Sequence, residues 1–325
     1  MGRSLQHRLP AAIVGGFSNS TTPASRRDRS VWVRRRGSTG LQRVRAGTVG
    51  GSYDVYTLIG RPFKGSELDD VWAYFEASIP SLIDRLSSPN RPIGLIDRSS
   101  FLTVLVPYVS AALVRGDDYD DRFKAFMTHL SGQFPDNTNI NRTIDFDLLC
   151  GRLLRCSWIF CTAPAGERFL INDLGWSPMV VAPGDARIFL PLSPAVALMV
   201  GRVDPSVWTR VPGGATLQPG FWSISADQVG RVNQSAVDFC YRDVYSGSRF
   251  ELEGLELPNR RSEELPEPRE VITRFPEDEM RPADTDWRDE LVRADLPTPQ
   301  LPVINLAIPP PVNLPREPTD SAPES

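Results

Sequence analysis

The sequence predicts an α+β fold: a helical middle region, a small mostly antiparallel sheet, and a disordered C-terminal tail. Three observations carry that prediction. From Ser66 to about residue 155, apolar residues recur at helical spacing. From Cys156 to about residue 203, short β-branched and aromatic runs alternate with Gly and Pro. Beyond Leu257, prolines and acids crowd out the apolar residues. The expected organisation is one α+β domain over 1–252 and an acidic Pro-rich tail over 253–325.

The elements follow in order. After "QHRLPAAIVGGFS" and a Ser/Thr/Arg-rich loop, "RSVWVRRRGSTGLQRVR" places two short runs around Gly37 and Gly40, a β-hairpin pattern. Alternation sets Val31 and Val33 on one face and Trp32 and Arg34 on the other. Ser66 is a natural N-cap with Asp69 three residues on, and Leu68, Val71, Trp72, Phe75, Ile79, Leu82, Ile83 and Leu86 trace a helix. Pro80 should kink it. A second helix runs from an Asp97 cap through Leu102, Leu105, Val109 and Leu113 to a stop at Gly116. A third is expected over residues 118–130 and a fourth over 145–155.

Strands are then expected at "SWIFCTA", "RFLIND", "PMVVAP" and "RIFLPLS". "AVALMVG" fits either a strand or a helix, because Ser193-Pro194 also suits a helix start. The hairpin at 30–46 is a candidate to join this sheet. A last helix begins at Ser225, where Gln228 completes a capping box, with Val229, Val232, Ala236, Val237, Cys240 and Val244 on its apolar face. Fourteen of the 30 prolines lie in 251–325, so that segment has too little apolar surface to offset its ordering entropy and reads as extended.

Composition narrows the class. Hydrophobic residues at 41% are enough for a core. The net charge of −4 is segregated: residues 1–50 carry +9 and residues 251–325 carry −10. Arginines outnumber the two lysines so heavily that a GC-rich coding bias explains them better than guanidinium chemistry does. Four cysteines without CxxC spacing read as reduced, buried thiols of a cytoplasmic protein. The longest apolar run, "FLTVLVPYVSAALV", contains Pro107 and falls short of the roughly 20 residues a spanning helix needs, so no membrane partner is expected. P-loop, GxGxxG, GxSxG and HExxH signatures do not occur.

Few positions are candidates for chemistry. Asp173, in "FLINDLGWSP", stands at the end of a strand beside a glycine turn, where acid/base groups are often delivered. The competing and favoured reading is turn chemistry, with Gly175 supplying positive φ. His7 and His129 are the only histidines and no cysteines pair up, so no metal site is expected, beyond a Mg²⁺-type ion that needs little signature. Asn233 falls between Val229 and Val237 on the inward face of the last helix, where it either tethers a strand-end turn or binds a ligand; tethering is favoured. Arg34, Arg35 and Arg36 around Trp32 form a phosphate- or nucleic-acid-binding pattern with a stacking aromatic, weakened by the arginine bias and by the acidic tail.

In order along the chain these pieces resemble the bacterial domain of unknown function 4238 family. The resemblance rests on His7 and Pro10 in "QHRLPAAIVGGFS", on "FLINDLGWSP" with its Asp173, on "FLPLSP" at 189–194, and on the segment from Asn233 to Tyr245. It covers about residues 5–250 and leaves the tail outside. Asn172 stands where that family has a serine, and no proline follows Asp173 within two residues. The resemblance implies a bacterial cytoplasmic setting and these candidate positions, not a reaction. The leading expectation is an interaction or regulatory protein, with a protein partner reached through the Pro-rich tail or the basic end. The alternatives are a metal-assisted hydrolase, with phosphodiesters as a candidate substrate class, in which His7, Asp173 and Asn233 converge, and nucleic-acid binding through the Arg-rich hairpin.

Overall fold

The computed structural model describes residues 5–20, 25–53, 56, 67–88, 96–116, 119, 121, 138–154, 156–182, 185–201, 220–259 and 287–298. These residues form an α+β fold with helices packed beside three sheets. The strands are β1 (Leu5–His7), β2 (Ser30–Arg35), β3 (Leu41–Arg45), β4 (Gly51–Tyr53), β5 (Ser157–Thr162), β6 (Ile171–Asn172), β7 (Ser177–Ala182), β8 (Asp185–Pro191), β9 (Val196–Gly201), β10 (Gly220–Ser223) and β11 (Asp243–Ser246). The helices are α1 (Ala11–Gly16), α2 (Glu67–Glu76), α3 (Ile79–Ser87), α4 (Arg98–Ser100), α5 (Val106–Arg115), α6 (Thr138–Leu153), α7 (Ala226–Asp238) and α8 (Trp287–Arg293).

The largest sheet has the order β10-β5-β9-β8-β7 and is antiparallel except for the parallel β10/β5 pair. Its centre is the "AVALMVG" run: β9 is buried at every position, as a strand covered on both faces must be. Ser193 does not start a helix there. Its hydroxyl accepts the N–H groups of Ala195 and Val196, and the Leu192 and Ser193 N–H groups reach the Val196 carbonyl, closing the β8–β9 turn. The 30–46 hairpin forms β2 and β3 as read, but it lies in a second, antiparallel sheet of order β3-β2-β11-β6. β11 inserts between the hairpin and β6, and it is buried along its whole length.

The helical region departs from expectation in three places, each with a local cause. Pro80 splits rather than kinks the first helix: α2 ends at Glu76 and α3 restarts at Ile79, where a missing proline N–H costs nothing. Asp97 caps the next helix as read, accepting the Ser100 N–H at 2.7 Å and the Ser100 hydroxyl at 2.8 Å. Between α4 and α5, Phe101–Leu105 is widened to π spacing just ahead of Pro107, whose ring would otherwise press on the Thr103 carbonyl. α6 begins at Thr138, seven residues before the expected start at 145. Its first turns are polar and show no apolar period, because Arg142 is buried there and donates to the Val114 carbonyl and to Asn139. Ser66, His129 and most of the expected 118–130 helix lie outside the described residues.

The tail reading is corrected at 287–298. α8 docks on the helical region: Trp287 and Leu291 are fully buried, and the Trp287 ring meets Phe146 edge-on at 5.9 Å. The Trp287 indole N–H donates to the Leu102 carbonyl, and Arg98–Glu290 and Arg288–Asp147 ion pairs flank the contact. A helix of seven residues with two inward side chains is invisible in an average over 75 proline-rich positions. The rest of the tail beyond Asn259 lies outside the described residues.

A charged group sits at the heart of the helical layer. Arg115, at the end of α5, is 3% exposed. Its guanidinium donates to Glu76 of α2 and to the His7 carbonyl of β1, and lies 5.1 Å from the Trp72 ring and 5.5 Å from the Tyr56 ring. Burial alone would lower the Arg115 pKa; Glu76 and Tyr56 outweigh it and the net direction is up. Arg142 approaches the same Tyr56 ring, at 5.4 Å.

Two predictions follow from this packing. Trp287→Ala in the full chain should cost about 3–5 kcal/mol in a denaturant melt, the range for deleting a buried aromatic; an unchanged midpoint would mean α8 contributes nothing to the fold. Glu76→Gln should cost roughly 3 kcal/mol, because it leaves the Arg115 charge buried without its carboxylate. Adding Arg115→Met to that variant should recover part of the loss, and a further fall would refute the pairing.

Candidate functional site

The stretch from Phe169 to Pro178 enters the second sheet as β6 and leaves it through a turn. Asn172 pairs with Val244 of β11, and the Asp173 N–H extends the ladder by donating to the Asp243 carbonyl at 2.9 Å. The turn closes with the Gly175 N–H on the Asn172 carbonyl. Gly175 has φ +76°, a conformation that demands glycine, and a Cβ there would stand 2.8 Å from a terminal methyl of Leu9. The Asn172 amide donates to the Trp176 and Ala236 carbonyls, tying the loop to the end of α7.

Asp173 does not cap its own turn. Its two carboxylate oxygens reach 68 and 69 residues ahead and accept the backbone N–H groups of Tyr241 (2.9 Å) and Arg242 (2.7 Å). It therefore holds the turn that carries α7 into β11. Beside it, Asp243 binds the Arg35 guanidinium through both oxygens, at 3.0 and 3.4 Å, and accepts the Tyr245 hydroxyl at 3.4 Å. Burial, reinforced by the Asp243 charge, pushes Asp173 up to about 7, against the pull of the two N–H donors and Arg242. Burial first, and then Asp173 and Asp243, raise the Tyr245 phenol well above its ordinary value. The Cys240 thiol is pushed up to about 12, chiefly by burial, and is no nucleophile at neutral pH.

The other candidates are also bound into the fold. Asn233 accepts the Leu170 N–H and donates to the Arg168 carbonyl, both at 2.8 Å, which is the tethering role. His7 bonds the Val49 carbonyl through Nδ1 at 3.3 Å, and its Nε2 lies 3.4 Å from the Arg27 guanidinium; burial lowers its pKa. The neutral ring with its proton on Nδ1 satisfies both contacts. Leu9 packs over Gly175, so the His7 and Asp173 segments are neighbours. Among the described residues, however, His7, Asp173 and Asn233 hydrogen-bond neither one another nor a common partner.

Arg34 donates to the Thr39 and Leu252 carbonyls, Arg35 to Asp243, and Arg36 to the Cys240 carbonyl at 2.6 Å. The Trp32 ring carries the Arg249 guanidinium at 5.9 Å. Among the described residues no group of three or more His, Cys, Asp or Glu is arranged to hold a metal ion, and no helix is long and apolar enough to cross a membrane. All four cysteines are buried and form no disulfide.

One surface feature was not singled out by the sequence reading. Phe250 is 82% exposed, on a segment whose neighbours are fixed. Ser246 donates to Glu251 and accepts the Ser248 N–H, while Arg249 and Glu253 pair at 2.8 Å. Leu252 is fully buried, and its carbonyl is held by Arg34. Gly247 lies so close to the Phe17 carbonyl that a Cβ would stand 2.3 Å away. Val180 and Val181 form an exposed apolar pair on β7 at the edge of the large sheet. Phe250 stands one position after an arginine in "SGSRFELEG", with no periodic signal to mark it as outward.

Comparison with known proteins finds no matching family model, no matching curated protein and no matching solved structure.

The electrostatics of Asp173 give a signed prediction. A folded-state pKa above the unfolded value contributes stability that is complete below about pH 4 and lost as pH rises through about 7. A protonated carboxyl and an amide offer the turn the same single good acceptor. Asp173→Asn should therefore match wild type below about pH 4 and be the more stable protein at pH 8. Urea melts of both proteins across this range test it, since other titrations cancel in the difference. Wild type gaining on the mutant as pH rises would show an ordinary, N–H-stabilised carboxylate instead.

Proposed function

We propose that this chain is an interaction protein, acting through a presented surface rather than through catalysis. The observation that supports this most directly is Phe250, held in solvent on a segment whose flanking residues are bonded or buried. Aromatic side chains dominate binding hot spots, and a segment already fixed loses little conformational freedom when it docks. Val180 and Val181, on an edge strand, add a second apolar surface of the kind that pairs with extended segments. The tail segment 287–298 packs on the domain's own helices, so a tail-mediated contact would fall to residues beyond it.

The hydrolase alternative requires His7, Asp173 and Asn233 to act on one substrate, and their polar atoms are bonded to three different stretches of backbone. The nucleic-acid alternative requires Arg34, Arg35 and Arg36 to face phosphates, and each donates to an internal acceptor. Neither gains a favouring observation.

The test is affinity capture from the source cell's lysate with the full chain, wild type beside Phe250→Ala. The variant removes an exposed ring and should melt within about 0.5 kcal/mol of wild type. A protein retained by wild type and lost from Phe250→Ala is the expected result. Identical captured sets would remove the observation on which the reading stands.

A further inference from the structure

We infer that the outer edge of β3 is a docking site for an extended acidic segment of a partner protein, which joins the second sheet as a further strand. β3 ends the order β3-β2-β11-β6, so one side of it has no neighbouring strand among the described residues. The ladder fixes which groups face that side. The Ala46 N–H donates to the Arg29 carbonyl, and the Arg36 N–H donates to the Arg242 carbonyl on the opposite flank of β2. Val31 and Val33 therefore exchange backbone bonds with Val44 and Gln42, whereas Leu41, Arg43 and Arg45 turn their N–H and C=O groups outward. The Thr48 hydroxyl donates to the Arg45 carbonyl at 2.8 Å. The rest of that outward row carries no hydrogen bond among the described residues, and Arg43 is its centre.

The side chains set the chemistry of the occupant. Arg43 and Arg45 are exposed and, two residues apart on one strand, share a face. Neither forms an ion pair among the described residues. Arg43 stands opposite Trp32, whose ring carries the Arg249 guanidinium at 5.9 Å, and Arg249 is paired in turn with Glu253 at 2.8 Å. A strand hydrogen-bonded to Arg43 places alternate side chains beside Arg43 and Arg45, where carboxylates are favoured and cations repelled. That disfavours a second copy of β3, because antiparallel pairing about a two-fold axis at Arg43 sets Arg43 against Arg43. Backbone bonds supply the affinity of such an added strand, and the two arginines select an acidic one. Phe250 takes no part, so this surface stands or falls apart from the one proposed above.

The test is fluorescence anisotropy with the full chain and a short labelled peptide of alternating Val and Glu. Three further probes accompany it: the same peptide N-methylated at its Glu amides, which would face Arg43, a peptide of alternating Val and Lys, and an oligothymidylate. The net charge of −4 works against unspecific capture of an acidic peptide. Wild type should bind the Val/Glu peptide and neither its N-methylated form nor the Val/Lys peptide. The double variant Arg43→Glu, Arg45→Glu should lose about tenfold or more in affinity for Val/Glu and gain binding of Val/Lys. Phe250→Ala should bind Val/Glu as wild type does; a loss there would move the peptide to the Phe250 surface and overturn the β3 site. Absence of saturable binding would also overturn it, as would equal binding of the N-methylated peptide, which reduces the contact to charge attraction. Oligothymidylate bound in place of the peptide, and lost in the double variant, would assign the edge to a phosphodiester chain instead. Should the double variant fail to fold, the plain and N-methylated peptides compared on wild type still decide.

Discussion

The guanidinium of Arg115 is the constraint around which the helical half is arranged. A buried cation is tolerated only if its charge and its donors are met, and Arg115 draws its partners from three parts of the chain. Glu76 comes from the end of α2, the His7 carbonyl from β1, and the Tyr56 and Trp72 rings from either side. The Tyr56 hydroxyl returns to the Arg115 carbonyl at 3.0 Å, so the helix end is satisfied by the same cluster. Arg142 repeats the device from α6, donating to the Val114 carbonyl and lying 4.9 Å from the Tyr119 ring. The end of α5 is thereby fixed to α2, α6 and the N-terminal strand at once.

The second half is joined by a different chemistry, in which polar side chains serve backbone groups that no ladder reaches. Asp173 serves the amides of Tyr241 and Arg242, Asn233 serves Leu170 and Arg168, and Asn172 serves Trp176 and Ala236. Arg34 and Arg36 do the same for Leu252 and Cys240. Backbone amides and carbonyls that leave the ladders still need partners, and these side-chain contacts supply them. The residues that look most like catalytic candidates are drawn into this work. A lone Asp at a strand end, an Asn on a helix's apolar face and a run of arginines all mark buried backbone as readily as they mark a site.

This bracing leaves a few side chains outside. The 246–252 segment is held by Ser246, Leu252 and Arg34, and the ring of Phe250 is the part not drawn in. The Asp173–Asp243 junction lies at the other end of the same strand, β11, where the Asp173 N–H donates to the Asp243 carbonyl. Both features depend on β11 being clamped between β2 and β6.

The elements with strong local signals were legible in the sequence. The α7 capping box, the Asp97 cap, the β2–β3 hairpin and the left-handed Gly175 all arise from contacts within a few residues, and Pro80 marked the place where the first helix is interrupted, though as a kink rather than the split it makes. The α+β class follows from them, and the inward position of Asn233 marked it as a tether, though not its partners. Tertiary structure alone decided the rest. Partners 68 or more residues apart leave no spacing to read, so the target of Asp173, the pairing of Arg35 with Asp243 and the insertion of β11 beside the hairpin were hidden. The same holds for α8, whose burial is decided by Phe146 and Leu102 and not by its own seven residues. Local sequence sets which segments are helix, strand or turn; which buried charge or amide meets which distant partner is set by the packing that brings them together.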